Sequence, residues 1–403
     1  EYEKPAKNAA LDSYSSSYSV GIPYHAAMHA TAPINRQNKT KLFRVMTSLH
    51  RKPDVLPSSF VPPTFSVTAL GAAAQIGAFS YIWLTHTDAL MCVQSPRKCW
   101  EADGTSFAWG KSVLATAAVC TATWILSVVL GLLGHSINGT SDPSIVDRLW
   151  SILPVVHVWW FWARAAHPAT QARLFVMAIL VTMWGVRLTW NFWRKGGFSG
   201  GEDYRWIIIR QWYPGWKFEA FNLVFIVFYQ LFLISAFSGG PPAIVLGTNS
   251  PLNALDAVAC VLAAALILGE TIADGQMFAY QTEKYRRKSA GEDAGHVYAP
   301  GFLSTGLYGV SRHPNYFCEV SLWWAIYLFS VAASGEWFNW AIAGPALLTV
   351  LFVAPGASID LAEALSSSKY PAYKAYQQRV PKCIPLPGLC GGGRRRRNRK
   401  VQI

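Results

Sequence analysis

Apolar residues gather in runs of about 20, the length that crosses the hydrocarbon core of a bilayer as a helix. The runs fall near 65–85, 112–134, 145–163, 173–193, 218–237, 254–279, 316–334 and 338–360. Asp147, Arg148 and Pro154 interrupt the third. The pattern predicts an all-α fold, a polytopic membrane bundle of about seven to eight transmembrane helices. Four regions are expected: a polar arm over 1–60, N-terminal transmembrane helices over 61–144, the main membrane domain over 145–385, and a Gly/Arg-rich basic tail over 386–403.

Composition agrees with the pattern. Of the 403 residues, 52% are hydrophobic and only 14% charged, where a soluble domain carries about a quarter charged. Mean hydropathy is +0.22. The net charge of +13 sits in loops 194–217 and 280–315 and in the tail, whereas loops 238–253 and 334–337 hold no Lys or Arg. That alternation orients the bundle, basic loops facing the cytosol or its equivalent. With eight spans, both termini are expected on that side. No basic helix or aromatic stacking module accompanies the charge, so the basicity points to membrane lipids and not to nucleic acid.

The seven cysteines include no zinc-type C-x-x-C pair, and no metal is expected. Cys92 with Cys99, and Cys383 with Cys390, flank Pro-containing loops and either close small disulfides or stay free thiols. Cys120, Cys260 and Cys318 lie in apolar runs, as small core residues.

Ionisable residues at span ends carry the candidate chemistry, since such groups face a bundle interior or a wet cavity. Glu270 and Asp274 lie toward the end of the sixth span, and Glu319 near the start of the seventh. Glu202, Asp203 and Arg205 follow the fourth, and Asp360 and Glu363 close the eighth. Arg187 and Arg194 are expected to snorkel toward them. Cations such as Lys284 and Arg312 would rim a pocket at the basic face, Asp274 and Glu319 would line it, and Trp323, Trp324 and Tyr327 would floor it. This mixture suits a phosphate-bearing cofactor with an apolar co-substrate arriving from lipid. Asn315 and Glu319, at i and i+4, share one helical face.

"GLYGVSRHPNYFCEVSLWW" resembles the R-H-P-N-Y-x-x-E signature of steroid 5α-reductase-like integral membrane proteins. "GGEDYRW", "ETIADGQMFAY" and "KYPAYKAYQQRVPKCIP" resemble three further segments of that family, in the same order, over roughly 145–385. The resemblance implies a seven-helix-type bundle binding NADPH from the cytosolic side and reducing the C=C bond of an apolar enone, a sterol or lipid. It implies cofactor contacts from Asp274, Arg312, His313, Asn315, Tyr316, Glu319, Arg205 and Tyr370. Glu202 and Tyr204 stand in for the family's carbonyl-polarising pair, which lies in its early helices. The chain departs from the pattern in three places: Phe317-Cys318 replace a small residue before Glu319, Pro355 precedes Gly356 in the small turn of the last span, and Phe278 and Gln281 stand where a cation is expected after Asp274.

Two other functions fit the same segments. Isoprenylcysteine and phospholipid methyltransferases share a similar R-H-P-x-Y element and would place S-adenosylmethionine there. A reductase-like fold kept as a subunit of a larger membrane complex needs no catalysis. The resemblance implies the endoplasmic reticulum. A chain beginning at Glu1 also fits loss of a targeting segment, which makes the mitochondrial inner membrane the alternative.

Overall fold

The structure is a computed structural model that describes residues 95–101, 108–133, 140–198, 203–293 and 295–385. The polar arm, the expected span at 65–85, Glu202, both cysteine pairings and the basic tail lie outside the described residues. No strand occurs among the described residues. The principal helices are α1 (Ala108–Leu132), α2 (Ser144–Leu149), α3 (Leu153–Trp162), α4 (Pro168–Arg194), α5 (Tyr204–Trp212), α6 (Trp216–Leu246), α7 (Ala254–Ala290), α8 (Pro314–Ser334), α9 (Ala343–Val353), α10 (Ser358–Lys369) and α11 (Tyr373–Arg379).

Among the described residues, six stretches are long and apolar enough to cross a membrane: Gly110–Leu132, Pro168–Arg194, Trp216–Leu246, Ala254–Ala290, Pro314–Ser334 and Trp340–Lys369. The protein is an integral membrane protein of helical-bundle type. The outward faces are apolar, with Val186, Val261 and Leu268 each at least 60% exposed, as lipid requires.

The expected third span forms differently. Residues 145–163 do not make one helix. α2 ends at Leu149, a turn follows, and Pro154 starts α3 within its first turn, where the missing N–H costs no hydrogen bond. The two short helices still run the length of α4 in the opposite direction. Ser151 meets Thr189 at 2.7 Å, and the Trp159 indole donates to Thr182 at 2.9 Å. The close approach needs Gly185, where a Cβ would fall 2.5 Å from Val155 and 2.7 Å from the Ser151 carbonyl. The last span is also divided: α9 and α10 are separated by the Pro355-Gly356 turn, Gly356 at φ 77°.

α4 and α7 run parallel, locked at one end by Arg173. Its five N–H groups all find acceptors: Nε and Nη2 on Asp256 at 2.8 and 2.9 Å, the rest on Ser250 and the Pro251 carbonyl. Asp256 also completes a capping box with Asn253 at the start of α7. α8 runs antiparallel to both. Its last carbonyls, Ala332 and Ala333, accept from Asn253 and Ser250 at that same end. α7 and α8 are the most extensively packed pair. α7 continues to Ala290, beyond the expected 279, with Arg287 and Lys288 in its last turn. α6 holds an eight-residue π-helical stretch, Asn222–Tyr229, a rare geometry that recurs at functional sites.

Candidate functional site

Toward the basic end, α4, α7 and α8 bring together a buried polar cluster. α4 supplies Trp184, Arg187, Asn191 and Arg194, spaced so that one helical face carries all four. Arg187 lies between the two acids of α7: Nη1 donates to Asp274 Oδ2 and Nη2 lies beside Glu270 Oε1, each at 2.7 Å. Asn191 Nδ2 adds a third contact to Asp274 at 2.8 Å. Arg194 donates twice to Asn191 Oδ1, at 2.9 and 2.7 Å, and its guanidinium lies 4.3 Å over the Phe278 ring. Arg187 is therefore buried, not snorkelling, at 9% exposure.

Glu319 enters from α8. Its two oxygens each accept an indole N–H, Oε2 from Trp184 at 2.8 Å and Oε1 from Trp323 at 3.0 Å. The two indoles also pack edge to face, centroids 5.0 Å apart. Three carboxylates and one guanidinium thus share a low-dielectric space, where a single unpaired charge is costly. Some capacity is left over. Glu270 Oε2 is buried with no hydrogen-bond partner among the described residues. One turn above Glu319, Asn315 is half-buried and forms no hydrogen bond with any described residue. Lys195, just past α4, is half-buried beside Asp274, Arg194 and Arg187. Burial holds its ammonium below the usual lysine range, against the pull of Asp274.

The arginine of the R-H-P-N-Y motif works elsewhere. Arg312 donates to both oxygens of Glu363 at 2.5 and 3.0 Å, and to the carbonyls of Gln377 and Val380. Four of its five N–H groups are engaged in tying α10 and α11 to the start of α8. His313 Nε2 reaches Glu363 at 3.3 Å and its ring stacks on Tyr316, centroids 5.4 Å apart. Tyr376 donates to the Tyr308 carbonyl at 2.5 Å. Burial pushes the Tyr308 hydroxyl well above the tyrosine range. Gln276 accepts the Leu307 amide at 3.0 Å, which holds this loop to α7 at Gly306, φ 61°.

Of the expected cofactor contacts, Asp274 and Glu319 converge, with Asn315 and Tyr316 on the adjoining turn of α8. Arg312 and His313 face Glu363. Asp203 caps α5 by accepting the Arg205 amide, Arg205 Nε donates to the same Asp203 oxygen at 2.8 Å, and the guanidinium lies 3.7 Å from Asp147. Tyr370 packs over Gly301 and accepts from Lys284 at 3.4 Å. Glu202 and the side chain of Tyr204 lie outside the described residues. Trp184, Asn191 and Lys195 were missed. The signal for the first two was the i, i+3, i+7 spacing with Arg187 inside an apolar run.

Residues 136–380 match the family described as "Protein of unknown function (DUF1295)", a family associated with steroid 5α-reductase-like proteins. An uncharacterized protein of Schizosaccharomyces pombe is 36% identical over 280 residues, covering 65% of this chain and 78% of its own. No solved structure matches the chain.

Proposed function

Because the chain belongs to the DUF1295 family, whose description assigns no activity, we propose from its own residues that it is a nicotinamide-dinucleotide-dependent membrane reductase. NADP(H) is the form that the resemblance implies. The substrate class is the C=C bond of an apolar enone, a sterol or lipid, entering from the bilayer. The proposed membrane is the endoplasmic reticulum, with the mitochondrial inner membrane as the alternative.

One observation carries the reading. Among the described residues, a buried Arg–carboxylate cluster inside a lipid-immersed bundle leaves Glu270 Oε2 without a hydrogen-bond partner, and nearby Asn315 and Lys195 form no hydrogen bond. Buried polar atoms are normally satisfied, so open valence here fits a polar ligand. Asn315 offers an amide and Glu270 an acceptor, and the Lys195 ammonium suits a phosphate. When bound, a reduced nicotinamide would supply the hydride. The chain's own residues hold and orient. Arg187 fixes Glu270 and Asp274 against α4, Trp184 and Trp323 fix Glu319, and the apolar outer faces admit an apolar substrate.

A structural role has one observation in its favour. Arg312, His313 and Glu319, three residues of the motif, already have protein partners. Thermal unfolding of the purified protein in detergent separates the readings. A ligand at a hundred times its Kd stabilises by about 2.7 kcal/mol. Stabilisation by a nicotinamide dinucleotide, lost in Asn315→Ala, supports the reductase. Stabilisation by S-adenosylmethionine alone replaces it with the methyltransferase, and no response to any of them favours the subunit role.

A further inference from the structure

Tyr308 lies in a short 3₁₀ turn, Gly306–Gly309, just ahead of the R-H-P-N-Y motif. Three ties fix this turn. The Leu307 amide donates to Gln276 on α7 at 3.0 Å. The Tyr308 carbonyl accepts from Tyr376 on α11 at 2.5 Å. Gly306 approaches α7 so closely that a Cβ would fall 2.6 Å from Gln276 Oε1. The Tyr308 ring is buried at 4% exposure and packs with Ala273, Tyr280 and Leu303. Its hydroxyl forms no hydrogen bond with any described residue. Buried polar atoms are normally paired, so a fixed ring with a free O–H is a donor held ready for a ligand.

The surroundings of that O–H decide what it suits. Asp274, Glu270 and Tyr316 lie within its electrostatic reach, and Tyr316, in the first turn of α8, is within reach of Asp274 too. The Tyr316 hydroxyl also forms no hydrogen bond with any described residue. Two phenols from different elements thus gather near the acid that Arg187 and Asn191 hold. Burial first, and then the charge of Asp274, keeps the Tyr308 phenol protonated well above the usual tyrosine range. An anionic group arriving here would be repelled by both acids. A neutral acceptor, such as a ketone oxygen, would complete the O–H without that cost.

We propose that Tyr308 is a catalytic residue, donating a hydrogen bond to the carbonyl oxygen of the enone. This rests on the reductase reading. As hydride reaches the β-carbon, the C=C electron pair shifts and negative charge develops on the carbonyl oxygen. The Tyr308 O–H meets that charge and keeps its proton. The α-carbon then takes a proton from water. The substrate leaves as a saturated ketone and the nicotinamide leaves oxidised.

Two measurements on the full-length protein in detergent test this. The first needs no ligand. Tyr308→Phe removes only an unpaired oxygen, so its melting temperature should equal or exceed that of the natural protein. Tyr376→Phe, which removes the donor to the Tyr308 carbonyl, should melt lower. A clear fall in Tyr308→Phe would mean that the hydroxyl already has a partner, and overturns the proposal. The second follows NADPH oxidation by absorbance, with progesterone as a sterol-like enone and a long-chain alkenyl methyl ketone as a lipid-like one. In Tyr308→Phe, kcat should fall about a hundredfold, the loss typical of one oxyanion donor, with the Kd of NADPH unchanged. A rate that survives in Tyr308→Phe overturns the proposal while the reductase reading stands. A weakened NADPH Kd as the only change places Tyr308 at the cofactor and also overturns it. No oxidation of NADPH with either enone removes the enone reading and this proposal with it.

Discussion

Trp184 and Glu319, 135 residues apart in sequence, are joined by an indole N–H donated to a carboxylate oxygen at 2.8 Å. The bond crosses from α4 to α8, and Trp323 takes the other oxygen from one turn away. Glu319 is therefore held at both oxygens, while Glu270 keeps an oxygen with no hydrogen-bond partner among the described residues. Of the two glutamates, the one outside the motif has the greater freedom to meet a ligand.

Trp184→Phe keeps the ring packing and removes the donor. A buried carboxylate oxygen left unpaired costs about 1–3 kcal/mol. We expect a fall in thermal stability of that order in detergent. In Glu319→Gln the same substitution should cost much less, because the amide cannot use the indole as fully. A Trp184→Phe penalty equal in both backgrounds would show that the indole acts by packing alone.

Arg173→Met should be among the most damaging single changes. It leaves Asp256 buried without its partner, and breaking such a pair costs about 3–5 kcal/mol. Replacing both residues, Arg173→Met with Asp256→Leu, should recover much of the loss. Detergent melting curves of the three variants check the ordering.

Arg312 ties the chain after α9 to the start of α8. Arg312→Ala should loosen residues 373–383, read as faster amide exchange there, with the α4–α7 contacts unaffected. Equal exchange across the whole bundle would mean that the network supports the fold globally.

The helices were legible because a bilayer demands long apolar runs, and five of the eight expected spans appear near their expected bounds. The third was misread because its length was right while Pro154 and the approach to Gly185 impose a break. In the site, Asp274 and Glu319 were legible as acids in apolar surroundings. Arg187 was read as a snorkelling side chain, since sequence alone does not reveal that α4 and α7 run parallel. The partner of Arg312 was invisible for the same reason. Glu363 lies 51 residues away, across a turn whose geometry depends on Gly356.

The positive-inside pattern predicts that the two ends of α8 face opposite sides. Glu292 is exposed at the basic end and Glu336 at the other. Single cysteines at these positions should react with an impermeant thiol reagent from opposite faces of sealed vesicles. Labelling of both from one side would contradict the orientation of α8.

Lys195 gives the proposed site a pH dependence with a definite sign. Burial lowers its pKa from the lysine value, so the folded chain binds this proton less tightly than the unfolded chain does. Between the two pKa values the unfolded state holds more protons, and stability contributed at this position rises with pH. Anion binding runs the other way, because only the ammonium attracts a phosphate. Dinucleotide affinity should therefore fall as pH rises through the lowered value, at a pH where an ordinary lysine would still be charged. Lys195→Arg should flatten that fall, since a guanidinium stays protonated throughout. Lys195→Met should weaken binding about tenfold at neutral pH and abolish the slope. The measurement is the Kd of the nucleotide at a series of pH values for the three proteins. A slope that survives in Lys195→Met would assign the titration to another group and remove Lys195 from the phosphate contact.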